Sequence, residues 1–151
     1  MLKALDGPRY AELLNRFDDT LGELAPATAE VTLDALAKRE LKKLRQAVRA
    51  AGDEPADDVL HALRKRGKRA RYAYELAGSD NVVKRAKALQ DVLGDHQDST
   101  VAEDRLRTLS QDAPPDQALA AGRLVERERE IRARARASWR AVWRRLERAA
   151  R

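Results

Sequence analysis

Cysteine is missing altogether from this 151-residue chain. Its absence excludes disulfide scaffolds, thiolate metal centres and cysteine nucleophiles, and leaves the redox compartment undetermined. Aromatic residues make up only 4% of the sequence and β-branched residues are scarce, which argues against a sheet protein. No apolar run approaches the length of a transmembrane helix. The opening stretch MLKALDGPRYAELL lacks the apolar core of a signal peptide, so a cytoplasmic protein is expected. There is no HExxH, no Gly-rich phosphate loop ahead of a helix and no Ser–His–Asp spacing. The chain reads as a binder rather than an enzyme, with no catalytic residue, no cofactor and no metal site expected.

What is present is helix-forming. Ala, Leu, Arg and Glu dominate, and the length fits one domain, taken here as residues 1–151. Gly and Pro are few and fall where helices should stop. Gly7-Pro8 opens a first helix that Pro26 closes, and a second runs from Leu33 to Gly52. A third extends from about Pro55 to Gly78. Ser79 or Asp80 caps a fourth that Pro114-Pro115 ends, and a fifth runs from about Asp116 to the C-terminus. The expected fold is all-α: an antiparallel bundle of four to five helices.

Charge is patterned rather than mixed. The formal net charge is +6. Residues 1–37 carry −4, residues 38–72 carry +7, residues 73–122 carry −4 and residues 123–151 carry +7. Basic blocks of this kind suggest a polyanionic partner. The densest is Arg64–Arg71, with six cations in eight positions, followed by Tyr72 and Tyr74.

Helical wheels sharpen this. In the second helix, Leu33, Leu36, Ala37, Leu41, Leu44, Val48 and Ala51 form an apolar stripe. Lys38, Lys42, Arg45 and Arg49 form a basic stripe roughly 110° away, which places them along a helix–helix groove. In the third, Val59, Leu60, Leu63, Gly67, Ala70, Tyr74 and Ala77 face the core. His61, Lys65, Lys68 and Tyr72 lie opposite, with Arg64 and Arg71 on one flank and Arg69 on the other. Gly67 costs a helix about 1 kcal/mol against alanine, so close approach of a neighbouring helix is expected there.

Two uses of the basic face compete. Its cations can pair with Asp91, Asp95 and Asp98, on one side of the fourth helix, but these acids are too few to absorb them all. The remainder suits phosphate, with Arg as a bidentate fork and Lys as a mobile point charge. His61 and His96, the only histidines, do not suffice for a metal site; His61 reads as a hydrogen-bonding or phosphate-facing residue. In the last helix, Ile131, Ala135, Trp139, Val142 and Leu146 supply a core stripe. Trp139 and Trp143 could suit a membrane surface, yet a bundle helix is the preferred reading.

The run LHALRKRGKRARYAYE resembles the signature helix of the CHAD family, the conserved histidine α-helical domain. Leu60, His61, Leu63, Arg64, Lys68, Arg69, Arg71, Tyr72 and Glu75 are in register with it, and Ala70 stands where the family usually has leucine. Leu89, Gln90, Leu93, Gly94 and Asp98 are similar to the family's next motif. The resemblance implies a non-enzymatic binder of inorganic polyphosphate, cytoplasmic and often associated with polyphosphate granules. It also implies two pseudo-symmetric helical halves around a basic channel, of which this sequence resembles one, the C-terminal half. The partner side of the channel is then a second copy of the chain or a missing N-terminal half. Together, wheel and resemblance nominate Lys38, Lys42, Arg45, Arg49, His61, Arg64, Lys65, Lys68, Arg71 and Tyr72 as polyphosphate contacts. The alternative is a nucleic-acid or other generic polyanion-binding module, and a further rival is a scaffold whose basic face takes an acidic protein.

Overall fold

The computed structural model describes residues 7–23 and 31–151. Among these are five helices and no strand: α1 (Pro8–Glu23), α2 (Leu33–Ala50), α3 (Asp57–Leu76), α4 (Asp80–Leu109) and α5 (Pro115–Ala149). Pro26, expected to close the first helix, lies outside the described residues. Two compact units are present, Met1–Val31 and Thr32–Arg151.

In the first unit, Pro8 takes the first helical position of α1, where its missing N–H is no loss. One face of this helix, Tyr10, Leu13, Leu14 and Phe17, is apolar and exposed.

The second unit packs its helices in chain order, α2 on α3, α3 on α4 and α4 on α5, each antiparallel to the next. The Thr32 hydroxyl accepts the Ala35 N–H at 3.2 Å and caps α2. At the end of α3 the Ser79 N–H donates to the Tyr74 carbonyl and the Gly78 N–H to that of Glu75. This paired closure needs a left-handed residue, and Gly78 supplies it at φ +73°. Ser79 stands at the cap position of α4, but its side chain makes no capping bond.

The core joins Ala37, Leu41, Leu44 and Val48 of α2 to Leu60, Leu63, Ala70 and Tyr74 of α3. Val82, Ala86, Leu89 and Leu93 of α4 and Trp139, Trp143 and Leu146 of α5 complete it. The expected stripes hold with corrections. Leu33 and Leu36 are exposed, because the first turn of α2 extends past the side chains that cover Ala37 and Leu41. On α5, Ile131 and Val142 are only half-buried, whereas Trp143 enters the core beside Trp139. With both indoles inside, the membrane-surface reading loses its anchors. No helix among the described residues is long and apolar enough to cross a membrane.

α4 and α5 run for 30 and 35 residues against 18 and 20 for α2 and α3. Their excess continues as a two-helix arm, and its seam keeps a seven-residue period. Buried positions on α4 include Val82, Leu89, His96 and Glu103; on α5, Val125, Trp139 and Leu146 are joined at the same interval by half-buried Arg132. Apolar residues hold the bundle end of this seam, and polar ones take over toward the arm. Glu103 accepts from Arg107 at 2.8 Å, Arg129 at 3.0 Å and Arg132 at 2.7 Å. Those hydrogen bonds hold its carboxyl below the usual range, Arg107 contributing most, although desolvation works the other way.

Gly67 is buried against α4, yet the close backbone approach expected there is not what surrounds it. A Cβ at Gly67 would sit 3.8 Å from Leu89 Cδ2, an ordinary contact. Gly67→Ala is therefore expected to stabilise the fold by about 0.5–1 kcal/mol through helix propensity. Gly78→Ala is expected to destabilise by about 1 kcal/mol or more, since alanine resists the left-handed conformation. Urea unfolding midpoints of the two variants should move in opposite directions. A destabilised Gly67→Ala would show that the α3–α4 contact is tighter than described.

Candidate functional site

α3 turns its cations outward and sideways while its small and apolar residues face in. Lys65, Lys68 and Tyr72 are exposed, as are Arg66 and Arg69. Arg64 and Arg71 are half-buried on the flank toward α4, where the Arg64 Nε lies 3.7 Å from the place a Cβ would take on Gly94. Gly94 thus leaves a shelf on which the Arg64 stem rests. His61 is half-buried too, and its Nδ1 is shielded with no partner. The Nε atoms of Arg64 and Arg71 and the Oε1 of Gln90 are likewise buried and unpartnered.

Tyr72 is braced by charge. The Arg71 guanidinium lies 4.5 Å from its ring centroid and the Lys68 ammonium 5.6 Å away. Arg71 also donates to Glu75 at 2.9 Å. Among the described residues that is the only ion pair made by the six cations from Arg64 to Arg71.

The α2 stripe is oriented differently. Arg45 reaches α5 and donates to Glu147 at 2.8 Å. Arg49 lines a groove of about 300 Å³ together with Arg140, Trp143 and Arg144, again on the α5 side. Lys38 pairs with Asp34 at 2.6 Å, a contact that raises its pKa, first through the hydrogen bond itself. Lys42 is exposed and unpaired among the described residues. The ten nominated residues thus divide into an α3 group, with Arg64 against α4, and an α2 group in which Arg45 and Arg49 lie toward α5 while Lys38 pairs within its own helix and Lys42 is exposed.

The acids nominated as partners are not used as such. Asp91, Asp95 and Asp98 are exposed and form no ion pair among the described residues. The wheel shows why: they lie opposite Val82, Leu89 and Leu93, on the solvent side of α4. Among the described residues the acids that engage arginine from another element are Asp57, Glu103 and Glu147, with Asp53 4.0 Å from Arg140.

Asp57 begins α3 and belongs to a corner built around Arg136 of α5. Arg136 donates to the Pro55 carbonyl at 2.8 Å and to the Asp57 carboxylate, while Arg140 donates to the Gly52 carbonyl. His96 of α4 sits beneath, 1% exposed, with Nε2 3.2 Å from Asp57 Oδ1. That contact has the distance but not the angle of a hydrogen bond, so neither ring nitrogen is satisfied. Burial holds His96 below the ordinary imidazole value of 6.5; Asp57 opposes this, and Arg136 and Arg132 reinforce it. For Asp57, burial alone would raise the pKa, but the Arg136 hydrogen bond and the surrounding positive charge bring it below 3.8.

A depressed imidazole pKa sets the sign of a pH effect. Between 6.5 and the lower folded value, the unfolded chain binds a proton that the folded chain refuses, so stability falls as pH falls. Asp57, also depressed, adds its own loss further down, below 3.8. Unfolding free energy should decline from pH 6.5 toward about 5, and His96→Gln should flatten that limb whatever its absolute stability. An unchanged slope in the variant would assign the pH dependence elsewhere.

The sequence matches the CHAD domain over residues 1–107. Two uncharacterized proteins of Mycobacterium tuberculosis, one from each of two strains, are 37% identical to the chain over 161 aligned positions. The alignment takes in 99% of this chain but 31% of each relative, so the chain spans about a third of their length. No solved structure matches it significantly. The domain match runs through α1, α2, the basic helix α3 and most of α4, where the signature residues stand in the places just described. The chain belongs to the CHAD domain family.

Proposed function

We propose that this chain binds inorganic polyphosphate, without catalysing a reaction, along the outward face of α3. The observation that supports this is that Arg64, Lys65, Arg66, Lys68 and Arg69, crowded into two turns of one helix, make no ion pair among the described residues. A row of cations that the protein does not neutralise is complementary to a linear polyanion. Lys65 and Lys68 supply mobile point charges, and Arg64 and Arg71 present forks held by Gly94 and Tyr72. His61, between them and the α3 start, offers a ring edge to the same face. On α2, Lys38, Lys42 and Arg49 add positive charge on a separate, neighbouring helix, whereas Arg45 serves chiefly to tie α2 to α5. The site is proposed to act in the cytoplasm, at polyphosphate granules, with its opposite wall supplied by a second copy or by further parts of a longer protein.

Lys65→Ala with Lys68→Ala removes two exposed charges without touching the core. Long-chain polyphosphate should bind this double variant at least tenfold more weakly. The slope of log K against log salt should fall by about 1.4, at roughly 0.7 per lost contact. The control, Arg123→Ala with Arg127→Ala on exposed positions of α5, should leave both nearly unchanged. Equal losses in the two variants would mean net charge rather than the α3 face binds. Displacement by DNA or RNA at the same phosphate concentration would assign the face to nucleic acid or to polyanions generally.

A further inference from the structure

A separate group of arginines stands where α3 hands over to α4. The geometry points to a second anion site there, an open cleft of about 450 Å³ between the start of α4 and the end of α5, lined by Asn81, Arg85, Arg145, Arg148 and Ala149, that takes a compact phosphoryl dianion. Its residues come from two helices in register. Asn81 and Arg85 are one turn apart on α4, and Arg145, Arg148 and Ala149 share a face of α5. None of them belongs to the basic face of α3, and the inference stands independently of the polyphosphate reading.

Charge balance singles this cleft out. No carboxylate lines it, and none of its three arginines makes an ion pair among the described residues. Two acids adjoin the lining in sequence: Glu147, beside Arg148, is engaged by Arg45, and Asp80, beside Asn81, is exposed, is not among the lining residues and pairs with none of the three arginines among the described residues. The end of α5 accounts for two of the cations, because a helix C-terminus favours positive charge. It does not account for Arg85, which comes from the second turn of α4 and gains nothing from that helix's dipole. Three guanidinium groups, permanently charged and mutually repelling, converge on one concavity whose volume lies within the roughly 300–1,000 Å³ of small-molecule sites.

The donors also select the ligand's shape. Each guanidinium presents a planar fork that suits two oxygens, and the Asn81 amide adds donors of its own. A carboxylate has two oxygens in one plane and cannot serve forks arriving from two helices. A phosphoryl group offers three or four oxygens in a tetrahedron and two negative charges, enough to satisfy all three arginines. Both inorganic phosphate and the phosphate end-group of a larger molecule have this chemistry.

The test follows the arginine Nε–Hε signals of the full chain by NMR during titration with inorganic phosphate, methyl phosphate, acetate and chloride at constant ionic strength. Phosphate should shift Arg85, Arg145 and Arg148 together in one saturating curve, while acetate and chloride leave them in place. If methyl phosphate reproduces the curve the site takes a phosphate end-group; if only inorganic phosphate does, it takes the free ion. Arg145→Gln with Arg148→Gln, both exposed, should weaken the response of Arg85 at least tenfold. Lys65→Ala with Lys68→Ala should leave it intact, which separates this site from the α3 face. Equal shifts with chloride, an unaltered Arg85 response in the glutamine variant, or phosphate shifts confined to α3 would each overturn the proposal.

Discussion

The reach of Arg136 from α5 to the α2–α3 corner is the constraint on which the orientation of the basic α3 face depends. α3 begins without a side-chain cap, since Ala56 at its cap position has nothing to offer the first-turn amides. Its start is fixed from outside, by one guanidinium bound to the Pro55 carbonyl and the Asp57 carboxylate, with Arg140 holding Gly52 a few residues earlier. Once that corner is set, Leu60 and Leu63 enter the core and the rotation of α3 follows. That rotation decides which side of the helix Lys65 and Lys68 face. A contact on the last helix therefore aims a basic face on the third.

Arginine consequently has two occupations here, told apart by partner rather than by residue type. Arg129, Arg132, Arg136 and Arg140 form a stripe on α5 that meets Glu103, Asp57 and the Gly52 carbonyl. Such pairs contribute modestly where water reaches them, yet they determine which helix faces which and in what register. Glu103 and Arg132 illustrate this, each standing in the seven-residue seam where an apolar side chain would be the default. A carboxylate and a guanidinium there disfavour any slip that would leave either unpaired. Among the described residues the six cations from Arg64 to Arg71 make one ion pair, Arg71 with Glu75, and it is their density on one short stretch of helix that sets the α3 face apart.

Much of this was legible beforehand. Gly52, Gly78 and Pro115 delimit helices because their backbone chemistry is local, and the α3 wheel separates Leu60, Leu63 and Ala70 from Lys65 and Lys68 by periodicity alone. Pairing was not legible in the same way. Arg45 meets Glu147 across 102 positions of sequence, and no local pattern announces that crossing. Asp91, Asp95 and Asp98 looked like partners by number, but the apolar period of α4 turns them to solvent, a signal the sequence did hold. Glu103 carried a signal as well, being one acid on an otherwise core-facing period. Leu33 and Leu36 were misplaced because a stripe shows which way a residue points, not how far the neighbouring helix extends to cover it.

The α3 face also has an energetic consequence. Arg64 with Lys68, Lys65 with Lys68 and Arg69, Arg66 with Arg69, and Lys68 with Arg71 are like charges three or four residues apart. At a few tenths of a kcal/mol each, their repulsion is on the order of 1–2 kcal/mol. That is a noticeable part of the roughly 5–15 kcal/mol that holds a domain together. The core of α2–α5 can absorb it, which is why the charges persist. Salt relieves this repulsion by screening it. Under the function proposed above, a polyanion on this face would relieve it too, and binding and folding would then be coupled through the same side chains.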